Sequence, residues 1–267
     1  MRKLTKAGTP FYVFDNLYEQ PSLSHLVSTR HGGVSTSPYD TLNLGFRTGD
    51  DLDRVSQNRE RVSRLLNITP SSIVFPSQVH GGNATIVSGA DRGRGAYTVD
   101  DAIPETDALI TNAAGTCLAI LVADCVPIVF FDPVQRVIAV AHAGWKGTVK
   151  KIAYVTVMTI RERFHSHPAD ILVGLGPSIG PECYEIGRNV VDAATANGIS
   201  PNTFQFLSAE KARFDLWSAN RQQLLEAGIA DAHIETAGIC TRCHHAEFFS
   251  ARSANPTGRF TAAIMLQ

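Results

Sequence analysis

Three residues of the chain could together bind a metal ion: His80, Cys125 and His142. Two imidazoles and one thiolate are good zinc ligands, and three ligands leave the fourth position open to water or substrate, as in catalytic zinc sites. Their separations of 45 and 17 residues do not fit a compact zinc finger. Two other interpretations use the same residues. Cys125 could be a nucleophile with His142 as its base, or the set could bind copper, which also accepts imidazole and thiolate.

Short apolar runs surround these candidate ligands. Residues 117–122 and 126–131 bracket Cys125, and residues 137–141 lead directly into His142. Runs of this length, rich in β-branched residues and bounded by Pro, Asp or Gly, are typical of buried strands. The turn-forming residues between the last two runs predict a hairpin. His80 also follows an apolar run, residues 73–75. The ends of the predicted strands could therefore bring all three ligands together.

Two glycine-containing segments could bind an anion. Arg30 precedes two consecutive glycines, whose backbone amides can converge on a negative charge. Thr148 is predicted to cap a helix over residues 149–164, which would place Lys146 at the positive end of the helix dipole. The alternatives are an ordinary polar loop at Arg30, and a merely capping and packing role for Lys146.

The pair Cys240 and Cys243, followed by His244, is a C-x-x-C motif. Such a pair can bind zinc, form a redox disulfide or attach c-type haem. A structural zinc site would need further ligands at comparable spacing, and the other three cysteines lie far away in the sequence. The simplest interpretation is a pair of reduced thiols beside a turn.

The composition is that of an ordinary globular protein. The chain has 267 residues, 44% of them hydrophobic, and a formal net charge of -1, which gives no general attraction to nucleic acid or anionic membranes. No apolar run approaches the ~18 residues of a membrane-spanning helix. An odd number of cysteines, five, suits a reducing compartment. We therefore expect a cytoplasmic protein with no nucleic-acid polymer, membrane or protein partner.

Seven groups of residues carry a family resemblance, and they occur in the same order along the chain. They are residues 28–35 (STRHGGVS), 43–45 (NLG), 78–81 (QVHG), 122–128 (VADCVPI), 141–148 (AHAGWKGT), 176–181 (GPSIGP) with 183–185 (CYE), and 248–250 (FFS) with 257–259 (TGR). Together they resemble the bacterial polyphenol oxidase (laccase-domain) family, also described as purine nucleoside phosphorylases of the YfiH/LACC type.

The resemblance implies one α/β (α+β) domain over residues 1–267, with mixed β-sheets flanked by helices. It also implies a zinc site formed by His80, Cys125 and His142. The implied activity is phosphorolysis of adenosine, inosine, guanosine and methylthioadenosine, with adenosine deamination in addition. Older descriptions make members copper-dependent oxidases of phenols. Others suggest a Cys-His hydrolase or a role in peptidoglycan quality control.

The implied chemistry assigns roles to further residues. Asp124 or Glu182 would carry the proton in deamination. Arg30 and Lys146, with the amides near Thr148, would hold phosphate, and Asn43 would orient the sugar or base. The chain departs from the family pattern at two of these positions. Glu182 stands where many relatives have a second Cys, and Lys146 stands where Arg is usual, so a point charge replaces a bidentate fork.

Overall fold

The computed structural model describes residues 1–267 and contains two six-stranded sheets and one three-stranded sheet. The first sheet contains, in spatial order, β1 (Arg2–Lys6), β2 (Thr9–Val13), β3 (Leu23–Ser28), β15 (Phe260–Leu266), β7 (Cys117–Val122) and β4 (Ile73–Val74). Neighbouring strands are antiparallel except β4 and β7, which run parallel. The last strand of the chain therefore lies in the middle of the sheet that the first strands begin.

The second sheet contains, in spatial order, β14 (Ile234–Thr236), β10 (Leu172–Leu175), β8 (Val126–Asp132), β9 (Val137–Ala143), β6 (Ala108–Thr111) and β5 (Ala84–Ile86). Its two outer pairs are parallel and its inner pairs antiparallel. The small sheet is antiparallel and contains β11 (Glu185–Gly187), β13 (Lys211–Phe214) and β12 (Phe204–Phe206).

Six helices complete the fold. They are α1 (Asp15–Tyr18), α2 (Leu52–Leu65), α3 (Trp145–Val149), α4 (Ile152–Phe164), α5 (Arg188–Ala196) and α6 (Leu216–Glu226). The longest has 14 residues. None of them is long and apolar enough to cross a membrane.

The two large sheets pack face to face and are covered by helices on their outer sides. A core between the sheets combines β7 and β15 of the first sheet with β8 and β9 of the second. Residues of α4, α5 and α6 pack on the other face of the second sheet, and α2 packs on the outer face of the first. This layered arrangement confirms the predicted mixed α/β fold with helices flanking the sheets.

The predicted hairpin is confirmed, whereas the predicted start of the following helix is wrong. Strands β8 and β9 pair antiparallel, and the Asp132 carboxylate accepts hydrogen bonds from two amides of the connecting turn. The sequence predicts a helix that begins after a Thr148 cap. Instead α3 begins at Trp145, with Gly144 as its N-cap, and a left-handed residue, Lys151, separates it from α4. Thr148 is therefore buried inside α3, because the glycine already turns the chain as it leaves β9.

Candidate metal centre and active site

The structure brings together the three residues that the sequence predicts as metal ligands. The ligand atoms of His80, Cys125 and His142 all lie within 4.8 Å of one another. His80 lies in the loop after β4, Cys125 between β7 and β8, and His142 on β9. Because β4 and β7 belong to the first sheet and β8 and β9 to the second, the cluster lies where the two sheets join.

Strand register explains why Cys125 and His142 are neighbours. Val126 pairs with Ala143 and Pro127 with His142 in the β8–β9 hairpin. Cys125 comes one residue before Val126, and Gly144 comes one residue after Ala143. The Cys125 thiol therefore lies beside Gly144. A Cβ at Gly144 would lie 2.7 Å from Cys125 Sγ, which is too close for any side chain. The glycine is required for this close approach.

Asp107, just before β6, orients both histidines. Its Oδ1 lies 2.8 Å from Nδ1 of His142 and accepts a hydrogen bond from the His80 backbone amide at 3.0 Å. Its Oδ2 accepts hydrogen bonds from the amides of Val79 and Gly81. Since a carboxylate holds Nδ1 of His142, the other ring nitrogen is left to face Cys125. Carboxylates of this kind fix the orientation of metal-bound histidines.

Gln78 anchors the His80 loop on its other side. Its side-chain amide donates to the Leu121 carbonyl at 2.8 Å, and its carbonyl accepts from the Leu121 amide at 2.9 Å. His80 itself has a φ of +57°, in the left-handed region that few non-glycine residues adopt. Contacts on both sides of the loop therefore hold His80 in an uncommon backbone conformation.

The electrostatics of the cluster favour a thiolate. Burial raises the pKa of Cys125, but the charge and hydrogen bonds of His142, together with those of His80, outweigh it and lower the pKa to about 6. Burial lowers the pKa of His142, but the Cys125 thiolate and Asp107 raise it to about 9. The pair thus favours charge separation, and the thiolate is the form of cysteine that binds metals. Two imidazoles and a thiolate, with a carboxylate behind one imidazole, fit zinc or another ion that accepts nitrogen and sulfur.

The cluster opens into a cavity of about 470 Å³, which the three ligands help to line. Aromatic side chains on its wall include Phe46, Trp145 and Tyr184. Four arginines also line it, namely Arg47, Arg59, Arg252 and Arg259. A cavity of this size accommodates a small organic molecule. The arginines make an anionic group on that molecule favourable.

The four arginines differ in how many hydrogen bonds their guanidinium groups already make within the protein. Arg59 is buried, donates to three backbone carbonyls and lies between the rings of Phe46 and Phe75. Arg259 donates to two carbonyls near its own backbone. Arg252 donates to one carbonyl, that of Glu185. Arg47 is exposed and makes no side-chain hydrogen bond or ion pair. The guanidinium groups of Arg47 and Arg252 therefore have the most donors left for a ligand.

The residues predicted to hold phosphate lie elsewhere. Arg30 donates to the carbonyls of Asp40 and His245 and lies over the Phe249 ring, outside the cavity wall. Lys146 is exposed on α3, near the Trp145 ring, and does not line the cavity either. Arg30 is held by contacts with its own loop and with the segment of residues 245–249, and Lys146 lies one residue beyond the wall that Trp145 forms.

Two further predicted substrate ligands, Asn43 and Thr148, are buried, and their side chains are hydrogen-bonded within the protein. The Asn43 side chain bonds to Thr48, Asp50 and the amides of Gly45 and Arg259. The Thr148 hydroxyl accepts a hydrogen bond from Asn220. Neither lines the cavity. Asn43 nevertheless shapes it, because its contacts hold the loop that carries Arg47 and the start of the strand that follows Arg259.

The two predicted proton carriers differ in position. Asp124 lines the cavity beside Cys125 and has a φ of +87°. Its carboxylate accepts hydrogen bonds from the Thr241 hydroxyl at 2.7 Å and the Arg252 amide at 2.8 Å. Glu182 does not line the cavity. Its side chain is 76% exposed and forms an ion pair with Arg213.

Sequence reasoning missed the arginines of the cavity, Tyr184 and Asp107. Each arginine except Arg59 lies in or next to a motif quoted above: Arg47 after NLG, Arg252 after FFS and Arg259 in TGR. Proximity to those motifs was the available signal. Asp107 offered a weaker sequence signal, because it is an acidic residue directly before a buried strand.

These features define a class: mixed α/β proteins with a two-histidine, one-cysteine centre at the base of an arginine-lined cavity. Residues 24–267 match the family model described as multi-copper polyphenol oxidoreductase laccase, and the chain belongs to that family. The resemblance inferred from the sequence motifs is therefore confirmed.

Similar proteins cover nearly the whole chain. Purine nucleoside phosphorylase YlmD of Geobacillus stearothermophilus is 42% identical over 241 residues, which are 89% of this chain and 88% of that protein. Purine nucleoside phosphorylase YfiH of Escherichia coli is 35% identical over 239 residues, with coverage of 90% and 92%. The crystal structure of the Geobacillus protein superposes with a TM-score of 0.93 at 37% identity, covering 99% of this chain and 98% of that one.

Proposed function

We propose that this protein is a zinc-dependent purine nucleoside phosphorylase. The observation that carries the proposal is the position of the His80, Cys125 and His142 cluster at the base of a cavity lined by arginines and aromatic side chains. The relatives named purine nucleoside phosphorylase support an enzyme that takes a nucleoside and phosphate. Adenosine, inosine, guanosine and methylthioadenosine are the proposed nucleosides, and adenosine deamination is a proposed second activity.

Zinc at this cluster would supply a Lewis acid facing the cavity. The chain's own residues would prepare the site. Asp107 orients His142 and holds the His80 loop, and the histidines keep Cys125 as a thiolate. Zinc binding would thus require little rearrangement of the three ligand side chains.

Arg47 and Arg252 are the proposed phosphate ligands, with Arg259 in support. Guanidinium groups can form paired, charge-assisted hydrogen bonds with phosphate oxygens. Arg252 also lies over the Tyr184 ring, with its guanidinium carbon 4.9 Å from the ring centroid, which positions the side chain at the cavity wall. These residues take over the role that sequence reasoning assigned to Arg30 and Lys146.

The aromatic side chains of the cavity would bind the purine. Phe46 and Trp145 present flat apolar surface beside the arginines, and a purine can stack on such surface. Of the two proposed proton carriers, Asp124 is the one within the cavity. Each of its carboxylate oxygens accepts one hydrogen bond from the protein and has a lone pair left for a substrate proton.

The test is chromatography of the products formed from adenosine, with and without phosphate, by protein of known zinc content. We expect adenine and ribose 1-phosphate only when phosphate is present, and no product from the His80→Ala variant. The control is His167→Ala, which removes an exposed histidine outside the cavity and should leave the rate unchanged. Inosine without phosphate would establish deamination. No purine product from zinc-loaded protein would refute the proposal.

A second function is favoured by one contact. Cys125, His142 and Asp107 form a thiol, imidazole and carboxylate series in which Asp107 lies 2.8 Å from His142, as in thiol hydrolases. Hydrolysis of peptidoglycan fragments would then persist after zinc is chelated and disappear in Cys125→Ser. A copper oxidase is less well supported. The chain has a single His-x-His pair, at His165 and His167, rather than the repeated pairs of multicopper laccases.

A further inference from the structure

A second cluster of metal-binding side chains lies on the loops beside the active site. The Sγ atoms of Cys183, Cys240 and Cys243 all lie within 4.8 Å of one another. Cys183 ends the short 3₁₀ turn Pro181–Cys183, whereas Cys240 and Cys243 lie in the loop after β14. The C-x-x-C pair, interpreted from the sequence as reduced thiols beside a turn, therefore has a third cysteine beside it. Cys183 is distant in sequence and adjacent in space.

Backbone contacts bring the two loops together. Ser178 and Cys240 form an isolated parallel bridge, in which the Ser178 amide donates to Ile239 and the Thr241 amide donates to Ser178. The Gly180 amide then donates to Cys240 Sγ at 3.2 Å. The positions of Cys183 and Cys240 are thus fixed by main-chain hydrogen bonds, independently of any bond between the sulfurs.

The sulfur geometry suits a tetrahedral ion. Zinc-sulfur bonds of about 2.3 Å place two thiolates about 3.8 Å apart in a tetrahedral site. The Sγ atoms of Cys183 and Cys243 are 3.4 Å apart, and the third sulfur lies within 4.8 Å of both. A disulfide would use two of the three thiols and leave Cys240 unpaired, whereas a metal ion uses all three.

The surroundings of Cys240 favour its ligand form. The backbone amides of Gly180 and Cys243 donate hydrogen bonds to its sulfur, which is only partly exposed. Amides that donate to a sulfur orient and stabilise a thiolate ligand. Cys243 is exposed, so an ion held here would keep a position open to solvent.

We propose that Cys183, Cys240 and Cys243 form a second metal site, which binds a zinc ion separately from the His80, Cys125 and His142 centre. The proposal does not depend on the nucleoside reaction. It concerns different side chains and would hold for any activity of the first centre.

The second site would stabilise one wall of the cavity. Thr241, between the two cysteines of the pair, donates its hydroxyl to Asp124 Oδ1 at 2.7 Å. The Ile179 amide donates to the Asp124 carbonyl at 2.9 Å. Tyr184, which follows Cys183, lines the cavity. An ion that links the two loops would therefore hold Asp124 and, through it, the backbone of Cys125.

The test uses the full chain, freed of metal under reducing conditions and then dialysed against excess zinc. We expect two zinc ions per chain by elemental mass spectrometry, one in Cys183→Ser, one in Cys243→Ser, one in His80→Ala, and none in the double variant with His80→Ala and Cys183→Ser. Cys117→Ala is the matched control, because Cys117 is buried in β7 and belongs to neither cluster; it should keep two ions.

Cobalt provides a second readout that does not depend on activity. Cobalt added to His80→Ala should give the strong thiolate-to-cobalt charge-transfer absorption, and Cys183→Ser should remove it from that variant. Circular dichroism checks that each variant is folded. A single zinc ion in the folded native chain would overturn the proposal, as would a Cys183–Cys243 disulfide that persists in metal-loaded protein, detected by mass spectrometry without reduction.

Discussion

Oδ1 of Asp107 lies 2.8 Å from Nδ1 of His142, and the same carboxylate accepts hydrogen bonds from three consecutive backbone amides, those of Val79, His80 and Gly81. One buried side chain thus positions two of the three proposed ligands. It sets the ring orientation of His142 directly and the backbone of His80 through the loop.

Replacing Asp107 should therefore weaken metal binding without removing a ligand. In Asp107→Asn the side-chain N–H must face either His142 or the amides of the His80 loop, so at least one of the two proposed ligands loses a hydrogen bond that positions it. We expect zinc affinity to fall by about 10- to 100-fold, measured by competition with a coloured chelator. Asp132→Asn is the matched control. Asp132 is also buried and accepts two amide hydrogen bonds, but in the β8–β9 turn. Equal affinities for the two variants would contradict this role.

Gly144→Ala should damage the centre by contact alone. Its Cβ would lie 2.7 Å from Cys125 Sγ and 3.2 Å from a ring carbon of His80. Because the clash pushes two ligands apart, we expect zinc affinity to fall by about tenfold or more. Gly89→Ala has no neighbour closer than 3.8 Å and should bind zinc like the native protein. Native affinity in Gly144→Ala would show that the ligands can move aside at little cost.

The phosphate assignment can be tested by comparing cations inside and outside the cavity. Arg252→Met and Arg47→Met should each raise KM for phosphate by about tenfold or more, since a charge-assisted hydrogen bond is worth about 1.5–3 kcal/mol. Lys146→Met, which removes a charge just outside the cavity wall, should change KM by less than about twofold. A larger rise in KM for Lys146→Met than for the two arginine variants would instead identify Lys146 as the phosphate ligand.

His25 should make folding stability depend on pH. It is buried in β3, and its Nε2 accepts a hydrogen bond from the Phe14 amide at 2.8 Å. Burial lowers its pKa from 6.5 to about 4. As the pH falls below 6.5, His25 becomes protonated in the unfolded chain, whereas in the folded chain it stays neutral until about pH 4. The stability that the neutral ring contributes above pH 6.5 is therefore lost over this interval, by about 2 to 3 kcal/mol.

Denaturant unfolding at pH 7.5 and pH 4.5 measures this loss. His25→Gln keeps an acceptor for the Phe14 amide but does not titrate, so its free energy of unfolding should fall less over the same range. Other titrating groups, including the metal ligands, are common to both proteins and cancel in the comparison. Identical pH dependence in the two proteins would exclude His25 as the cause.

Local patterns in the sequence were sufficient for some parts of the structure and insufficient for others. The β8–β9 hairpin followed from two apolar runs and a turn, and its register places Cys125 beside His142. The start of α3 differs from the prediction because Gly144, rather than Thr148, is the N-cap of the helix. Composition alone could not show that Gly144 must lack a side chain, since that requirement comes from Cys125 across the hairpin.

The cavity was the least predictable feature. Glycines and a helix start are suited to anions and therefore predict Arg30 and Lys146 as phosphate ligands, yet neither residue lines the cavity. Arg47 lies far in sequence from Arg252 and Arg259, and only the packing of the fold brings the three to one cavity. The same is true of Cys183 and the C-x-x-C pair, which are joined by a backbone bridge that no spacing rule indicates.

The position of the His80, Cys125 and His142 centre, where the two large sheets join, has a consequence for folding order. No segment that forms only one sheet contains all three ligands in place, so the complete centre can assemble only after the sheets have docked. A metal ion that needs all three ligands therefore binds late, and tight binding reports that the chain has reached its native topology. Metal binding in this protein would therefore follow the formation of the native fold and would not nucleate folding.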